Sequence, residues 1–177
     1  IIQDGNALDR RSPVIFPGVG SFPHAVERLK HVGLFESLSE MAENEIPILG
    51  ICLGMQVLFT DSQEDEITEG LGLVTGNVTK FDRSILGNMI PHIGFNNICR
   101  ISANKPDILR QVPEDTDYYF VHSFAVKNST DNNSFAFTKN GEVFASVVQK
   151  KNLVGVQFHP ERSQKSGLKI LQNFMEM

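Results

Sequence analysis

The stretch PILGICLGMQVLF, Pro47 to Phe59, limits the possible folds of this chain more than any other. The run from Ile46 to Ile51 is apolar throughout, as in a strand of a parallel sheet covered on both faces, and LGMQVLF then has the composition of a helix. Where one periodicity gives way to the other stands a cysteine, in Gly50-Ile51-Cys52-Leu53-Gly54. A residue at a tight turn between a buried strand and a helix has its side chain pushed up at the carboxyl edge of the sheet. Flanking glycines let neighbouring backbone pass without Cβ clashes. The spacing therefore predicts a nucleophile elbow with Cys in place of Ser. Unpaired N–H groups at the start of the following helix are expected to favour the reactive thiolate. Taken alone, the elbow also fits a small buried cysteine packed between strand and helix.

The rest of the chain supports an α/β sheet around that unit. PVIF, Pro13 to Phe16, is a short apolar run ending in PGVG. From Pro23 to about Glu43 the apolar residues Ala25, Val26, Leu29, Leu34, Phe35 and Leu38 have helical spacing, broken at Gly33. DSQEDEITEG reads as a solvated acidic loop and not as a metal site. GNVTKF, IPHIGFNNI, DYYFVHSFAV, SFAFTK, EVFASVVQ and NLVGVQF are β-rich and divided by turn residues, and a helix from Ser163 to Met177 closes the chain. No repeat or linker divides the 177 residues, so a single domain over residues 1–177 is expected, a mostly parallel sheet flanked by helices with antiparallel additions.

Composition removes several classes of function. A net charge of −5 with scattered Lys and Arg gives no basic stripe for nucleic acid. No apolar run approaches the roughly 20 residues that span a membrane. Only two cysteines are present, Cys52 and Cys99, too few for a disulfide framework, which makes a reducing cytoplasm the expected compartment. Cys99 has no acid or base nearby in sequence and reads as buried packing.

A nucleophile needs a base, and the base an orienting group. Of the five histidines, His159 stands in GVQFHPERS, where a strand from Leu153 to Phe158 ends and Pro160 forces the chain out of the ladder. Glu161, two residues on, is placed to accept the imidazole N–H and fix the tautomer that takes the thiol proton. A solvated strand-end pair is the other reading of these two residues.

GICLGMQ, PGVGSFP and GVQFHPERS together resemble the signature segments of the triad-type, class-I glutamine amidotransferases, which take ammonia from glutamine with a Cys-His-Glu triad. IPHIGFN and YFVHSF narrow the resemblance to the branch whose members serve a cyclase of histidine biosynthesis. These segments run in order from Pro17 to Ser163, so the resemblance covers nearly the whole chain. It implies Cys52 as nucleophile, His159 as base and Glu161 as its orienter. Gly18, Val19 and Gly20 match the family's oxyanion strand, with the Leu53 N–H as second donor. Gln56, one helical turn beyond Cys52, matches a residue that reaches the bound glutamine. Glu64 matches an acid that attracts the substrate's α-ammonium, though Asp65 and Glu66 share that loop, and His122, Ser123 and Phe124 match the segment that holds its α-carboxylate. His92 and Phe95 match a partner-facing segment. Phe95 replaces the family's usual Trp, Phe124 its usual Tyr and Ile93 its usual Met; the first two each lose a polar handle.

The implied chemistry is acyl transfer to Cys52 and hydrolysis to glutamate and ammonia, with no metal or cofactor. The implied partner is a cyclase with a (β/α)8 barrel, in a heterodimer, reached by a water-poor route that keeps ammonia unprotonated. Two alternatives remain at this stage: a sister amidotransferase whose ammonia goes to another acceptor such as a modified sugar, and a silent scaffold for its synthase. The resemblance also implies a strand and a helix ahead of this sequence, roughly 35 residues, with IIQDG matching the edge strand that follows them. Their absence is expected to leave a central slot with unpaired backbone groups on both sides, and hence a poorly folding fragment of a protein of about 210 residues, unless another segment fills the slot.

Overall fold

A computed structural model of the protein describes residues 2, 4–86, 90–101, 105–127 and 134–177. The apolar run around Pro47 forms β2, Ile48–Cys52, buried at all five positions. It pairs in parallel with β1, Val14–Gly18, on one side, and on the other with the last strand of the chain, Leu153–Val156. Between β1 and β2 lie α1, Phe22–His31, and α2, Leu34–Glu43, separated at Gly33 as the sequence predicts. Beyond β2 the helix is short: α3 spans Leu53–Val57, because Phe59 already begins β3, Phe59–Ser62.

The acidic stretch expected to be a loop carries the end of β3 and the two-residue β4, Thr68–Glu69, which pair with each other. Then follow β5, Val74–Lys80; a single helical turn, α4, Arg83–Leu86; β6, His92–Asn97; and β7, Arg100–Ile101. The stretch expected as one strand around Val121 is two, β8, Asp117–His122, and β9, Phe124–Val126, which part at Ser123 to join different sheets. Finally β10, Ser134–Asn140, β11, Glu142–Lys150, and β12, Leu153–Val156, lead into α5, Gln164–Met175.

The main sheet has the order β1-β2-β12-β11-β10-β7 and is mixed. Its three site-forming strands β1, β2 and β12 are parallel, and the rest are antiparallel. Smaller sheets of order β4-β3-β5-β9 and β6-β8 flank it. Alternation along β2 divides the interior. Leu49 and Ile51 join a core with Tyr118, Phe120, Phe144 and Phe158, closed by Ile170 and Phe174 of α5. Ile48 faces a second core with Phe22, Met41, Met55 and Phe59. Each of these large side chains contributes about 1.5–3 kcal/mol by leaving water, so the central strand is held from both faces.

Among the described residues no strand precedes Val14. The segment matched to an edge strand instead contains a 3₁₀ turn, Gly5–Ala7, whose Gly5 N–H donates to Val32 O at 2.8 Å. β1 is thus itself the edge of the main sheet, and the expected slot between two strands does not occur.

Candidate active site

Parallel pairing puts three strand ends at one edge of the sheet, where sites of open α/β sheets form. Gly18 lies opposite Cys52 in the β1–β2 register, and Val156 opposite Ile51 in β12–β2. The turn after β1, the Cys52 elbow and the segment Gln157–His159 are therefore brought together by the backbone alone.

Cys52 occupies φ +54°, ψ −110°, a conformation non-glycine residues seldom adopt. The glycines around it make that turn possible. A Cβ on Gly54 would stand 1.9 Å from Phe16 O of the neighbouring strand, and one on Gly50 would meet the backbone of Gly54 and Met55 at 2.7 Å. The elbow read from the sequence is present, but its electrostatics differ from expectation. Burial pushes the Cys52 thiol up to about 11, aided by the nearby Glu161 charge, and hydrogen bonds from the Leu53 N–H and the Gln157 amide only partly oppose this. α3 is too short and the sulfur too dry for the helix start to hold a thiolate at neutral pH.

His159 follows β12, its N–H donating to Tyr119 O at 2.8 Å. Pro160 opens a 3₁₀ turn, Pro160–Arg162, that curls Glu161 back onto the ring, and His159 Nδ1 lies 2.7 Å from Glu161 Oε1. Ser163 Oγ ties the turn down, donating to His159 O at 2.6 Å and accepting from the Tyr119 N–H at 2.9 Å. Because Glu161 is acceptor-only when ionised, it holds the ring proton on Nδ1 and leaves Nε2 as a base. That Nε2 is buried and has no hydrogen-bond partner among the described residues.

Cys52 and His159 line one cavity of about 350 Å³, together with Val19, Gly20, Leu53, Gln56, Glu64, His122, Ser123 and Phe124. Nearly all the residues singled out from the sequence thus converge. Gly18 lies just behind the cavity in β1, and Glu161 behind His159. Glu64 Oε2 accepts the Phe22 N–H at 2.8 Å, which fixes its carboxylate at the mouth. Gln56 is buried, and its amide nitrogen donates to Phe124 O at 2.9 Å and Gln157 Oε1 at 3.0 Å, so only its oxygen remains for a ligand. His122 Nδ1 donates to the same Phe124 O at 2.9 Å.

Two expectations need correction. His92 does not face outward: β6 alternates, so His92 turns in while Ile93 and Phe95 turn out. His92 stacks on Phe120 and its Nδ1 contacts His122 Nε2 at 3.2 Å. Burial lowers His92 to about 4 and His122 to about 3, so both are neutral at physiological pH. Phe95, half-exposed against the Tyr119 ring, does present a surface. Cys99 is exposed rather than packed, since it lies in the short connection between β6 and β7.

One residue of the site escaped the sequence reading. Gln157, fully buried, donates from Nε2 to Cys52 Sγ at 3.6 Å. Its place two residues before His159, hence on the same side of an extended chain, was the available signal. Among the described residues no cluster of side chains could hold a metal ion, and no helix is long and apolar enough to cross a membrane.

The sequence matches the family described as glutamine amidotransferase class-I over residues 2–177. A protein of Carboxydothermus hydrogenoformans named imidazole glycerol phosphate synthase subunit HisH is 44% identical over 178 residues, covering 100% of this chain and 86% of that protein. One of the same name from Moorella thermoacetica is 39% identical, covering 100% of this chain and 82% of that protein. Among solved structures, one described as a glutamine amidotransferase superposes with a TM-score of 0.71 at 15% identity, over 99% of this chain and 83% of that one, a likeness of fold.

Proposed function

This chain belongs to the class-I glutamine amidotransferase family, and from that membership we propose that it is the glutaminase subunit of an imidazole glycerol phosphate synthase. It hydrolyses glutamine to glutamate and ammonia for histidine biosynthesis. In this reading a single glutaminase domain acts in the cytoplasm and passes ammonia to a (β/α)8-barrel cyclase held as a heterodimer. The observation that carries the reading is the shared cavity: a strained, buried Cys52 beside a His159 whose Nδ1 is held by Glu161 and whose Nε2 is free.

With glutamine in the cavity, His159 Nε2 takes the thiol proton as Cys52 Sγ attacks the carboxamide carbon. Proton transfer in step with attack is needed because the thiol is protonated at rest. The Leu53 N–H and an N–H of Gly18, Val19 or Gly20 hold the oxyanion. The tetrahedral species collapses as imidazolium protonates the departing nitrogen, releasing ammonia and leaving a thioester. Water then gives a proton to His159 and attacks the thioester; the proton returns to sulfur as glutamate leaves. Glu64 faces the substrate's α-ammonium, backbone N–H groups of the His122-Ser123-Phe124 segment its α-carboxylate, and the Gln56 oxygen remains for its polar atoms. Phe95 is the side chain offered to the partner. Buried His92 supports His122 from behind.

Replacing Cys52 by Ala tests the assignment. Glutamine hydrolysis should fall to background, while partner binding and synthesis supported by added ammonia persist, because the thiol serves only the glutaminase half. Glutamine-dependent turnover retained in that variant would overturn it.

A further inference from the structure

The amide of Gln157 joins the nucleophile to the substrate-side wall of the cavity, and its orientation is set by a backbone carbonyl. Which end of a glutamine amide is nitrogen follows from its partners. Phe124 O can only accept, so the Gln56 group at 2.9 Å from it is NH₂. The same NH₂ lies 3.0 Å from Gln157, so the Gln157 atom facing it is the oxygen. Gln157 therefore turns its own NH₂ towards Cys52 Sγ, at 3.6 Å. A buried amide whose flip is forced in this way offers the sulfur a fixed donor. A donor favours the thiolate over the thiol, whereas the same group turned round would oppose ionisation.

We infer that Gln157 is a further catalytic residue, a side-chain donor that touches the reacting sulfur and stabilises its thiolate from the face away from glutamine. The inference rests on reading Cys52 as the nucleophile. Its role differs from that of the oxyanion donors, which act on the substrate's oxygen. Thiolate is present at the moment of attack and again when water expels sulfur from the thioester, so the donor acts in both halves of the reaction. Gln56, held between Phe124 O and Gln157, is then the residue that keeps this donor from flipping.

The test reads sulfur ionisation and not turnover, so it stays informative even if glutamine proves not to be the substrate. The full chain is treated with iodoacetamide at pH 8.5, and labelling of Cys52 and Cys99 is followed by peptide mass mapping. Below the thiol's midpoint the Cys52 rate tracks its thiolate fraction, and exposed Cys99 is the internal reference. In Gln157→Met the Cys52 rate should fall about tenfold relative to Cys99, the effect of losing one hydrogen bond to a charged group. Mere loosening of the structure would expose Cys52 and raise its labelling instead. Gln157→Glu keeps the side chain's shape but brings an acceptor to the sulfur, and should label at least as slowly. It decides the matter should the methionine variant not fold. Wild-type labelling of Cys52 in a folded Gln157→Glu protein, or in a folded Gln157→Met protein, would overturn the inference.

Discussion

At the scale of single residues, two cysteines of opposite character separate accessibility from chemistry. Cys99 is exposed, while Cys52 is buried with its thiol raised to about 11. A small general alkylating agent at pH 7.5 should therefore modify Cys99 well before Cys52. A glutamine-shaped electrophile should reverse that order, because the cavity brings it to sulfur with His159 alongside to take the proton. Peptide mass mapping after each reagent checks both orders. Glu161 supplies the second case. Its side chain is half-exposed and makes one strong contact, so Glu161→Gln should leave the melting temperature almost unchanged. An amide NH₂ facing Nδ1 stabilises the wrong tautomer, however, and kcat for glutamine should fall by about 10²–10⁴. A loss of kcat matched by a loss of fold would show that Glu161 is structural.

At the scale of elements, the β6–β8 pair stores a pH dependence, because His92 and His122 lie opposite each other in its register. Both take up protons far less readily in the fold, near 4 and 3, than at their ordinary 6.5, since burial disfavours imidazolium. The unfolded chain then binds more protons below pH 6.5. The stabilisation is complete above that value and is lost as pH falls towards 4. With two groups the slope should approach about 2.7 kcal/mol per pH unit near pH 5, above the range where carboxylates titrate. Urea denaturation between pH 5 and 7 measures it, and His92→Phe, which keeps a ring on Phe120, should remove about half of the slope. The elbow makes a second prediction. Gly54→Ala drives a methyl into Phe16 O and should cost about 3 kcal/mol or more, readable as a lower urea midpoint. These elements also show what the sequence could and could not reveal. β2, the turn at Cys52 and the His159 strand end were legible because burial on both faces, paired glycines and a proline leave local marks. The inward turn of His92, the exposure of Cys99 and the division at Ser123 were not, because each depends on which sheet a short strand joins. The high thiol pKa was missed for the same reason: dryness at Cys52 comes from β12, α3 and the far wall of the cavity, distant in sequence.

At the scale of the whole molecule, the cavity is built on a rigid side and a loose side. Cys52, Gln157 and His159 sit on strands buried from both faces, but the wall formed by Val19 and Gly20 has little holding it. Val19 is 81% exposed, and Gly20, at φ +104°, has nothing near the place where a Cβ would be. Peptide planes beside such a glycine can rotate between two settings at small cost, and only one aims an N–H at the oxyanion. The exposed Val19 next to it is a handle by which a docked synthase could choose the setting. Alone, the protein should therefore hydrolyse glutamine slowly, short of one oxyanion donor. Adding the cyclase and its nucleotide substrate should raise turnover by about 10²–10³, the effect of one such donor, chiefly in kcat because the donor acts on the transition state. Val19→Gly, which removes the handle but keeps the N–H, should blunt that activation while changing the basal rate little. Steady-state glutaminase assays with and without the partner decide it, and equal turnover in both conditions would show that the oxyanion wall is already set in the free subunit.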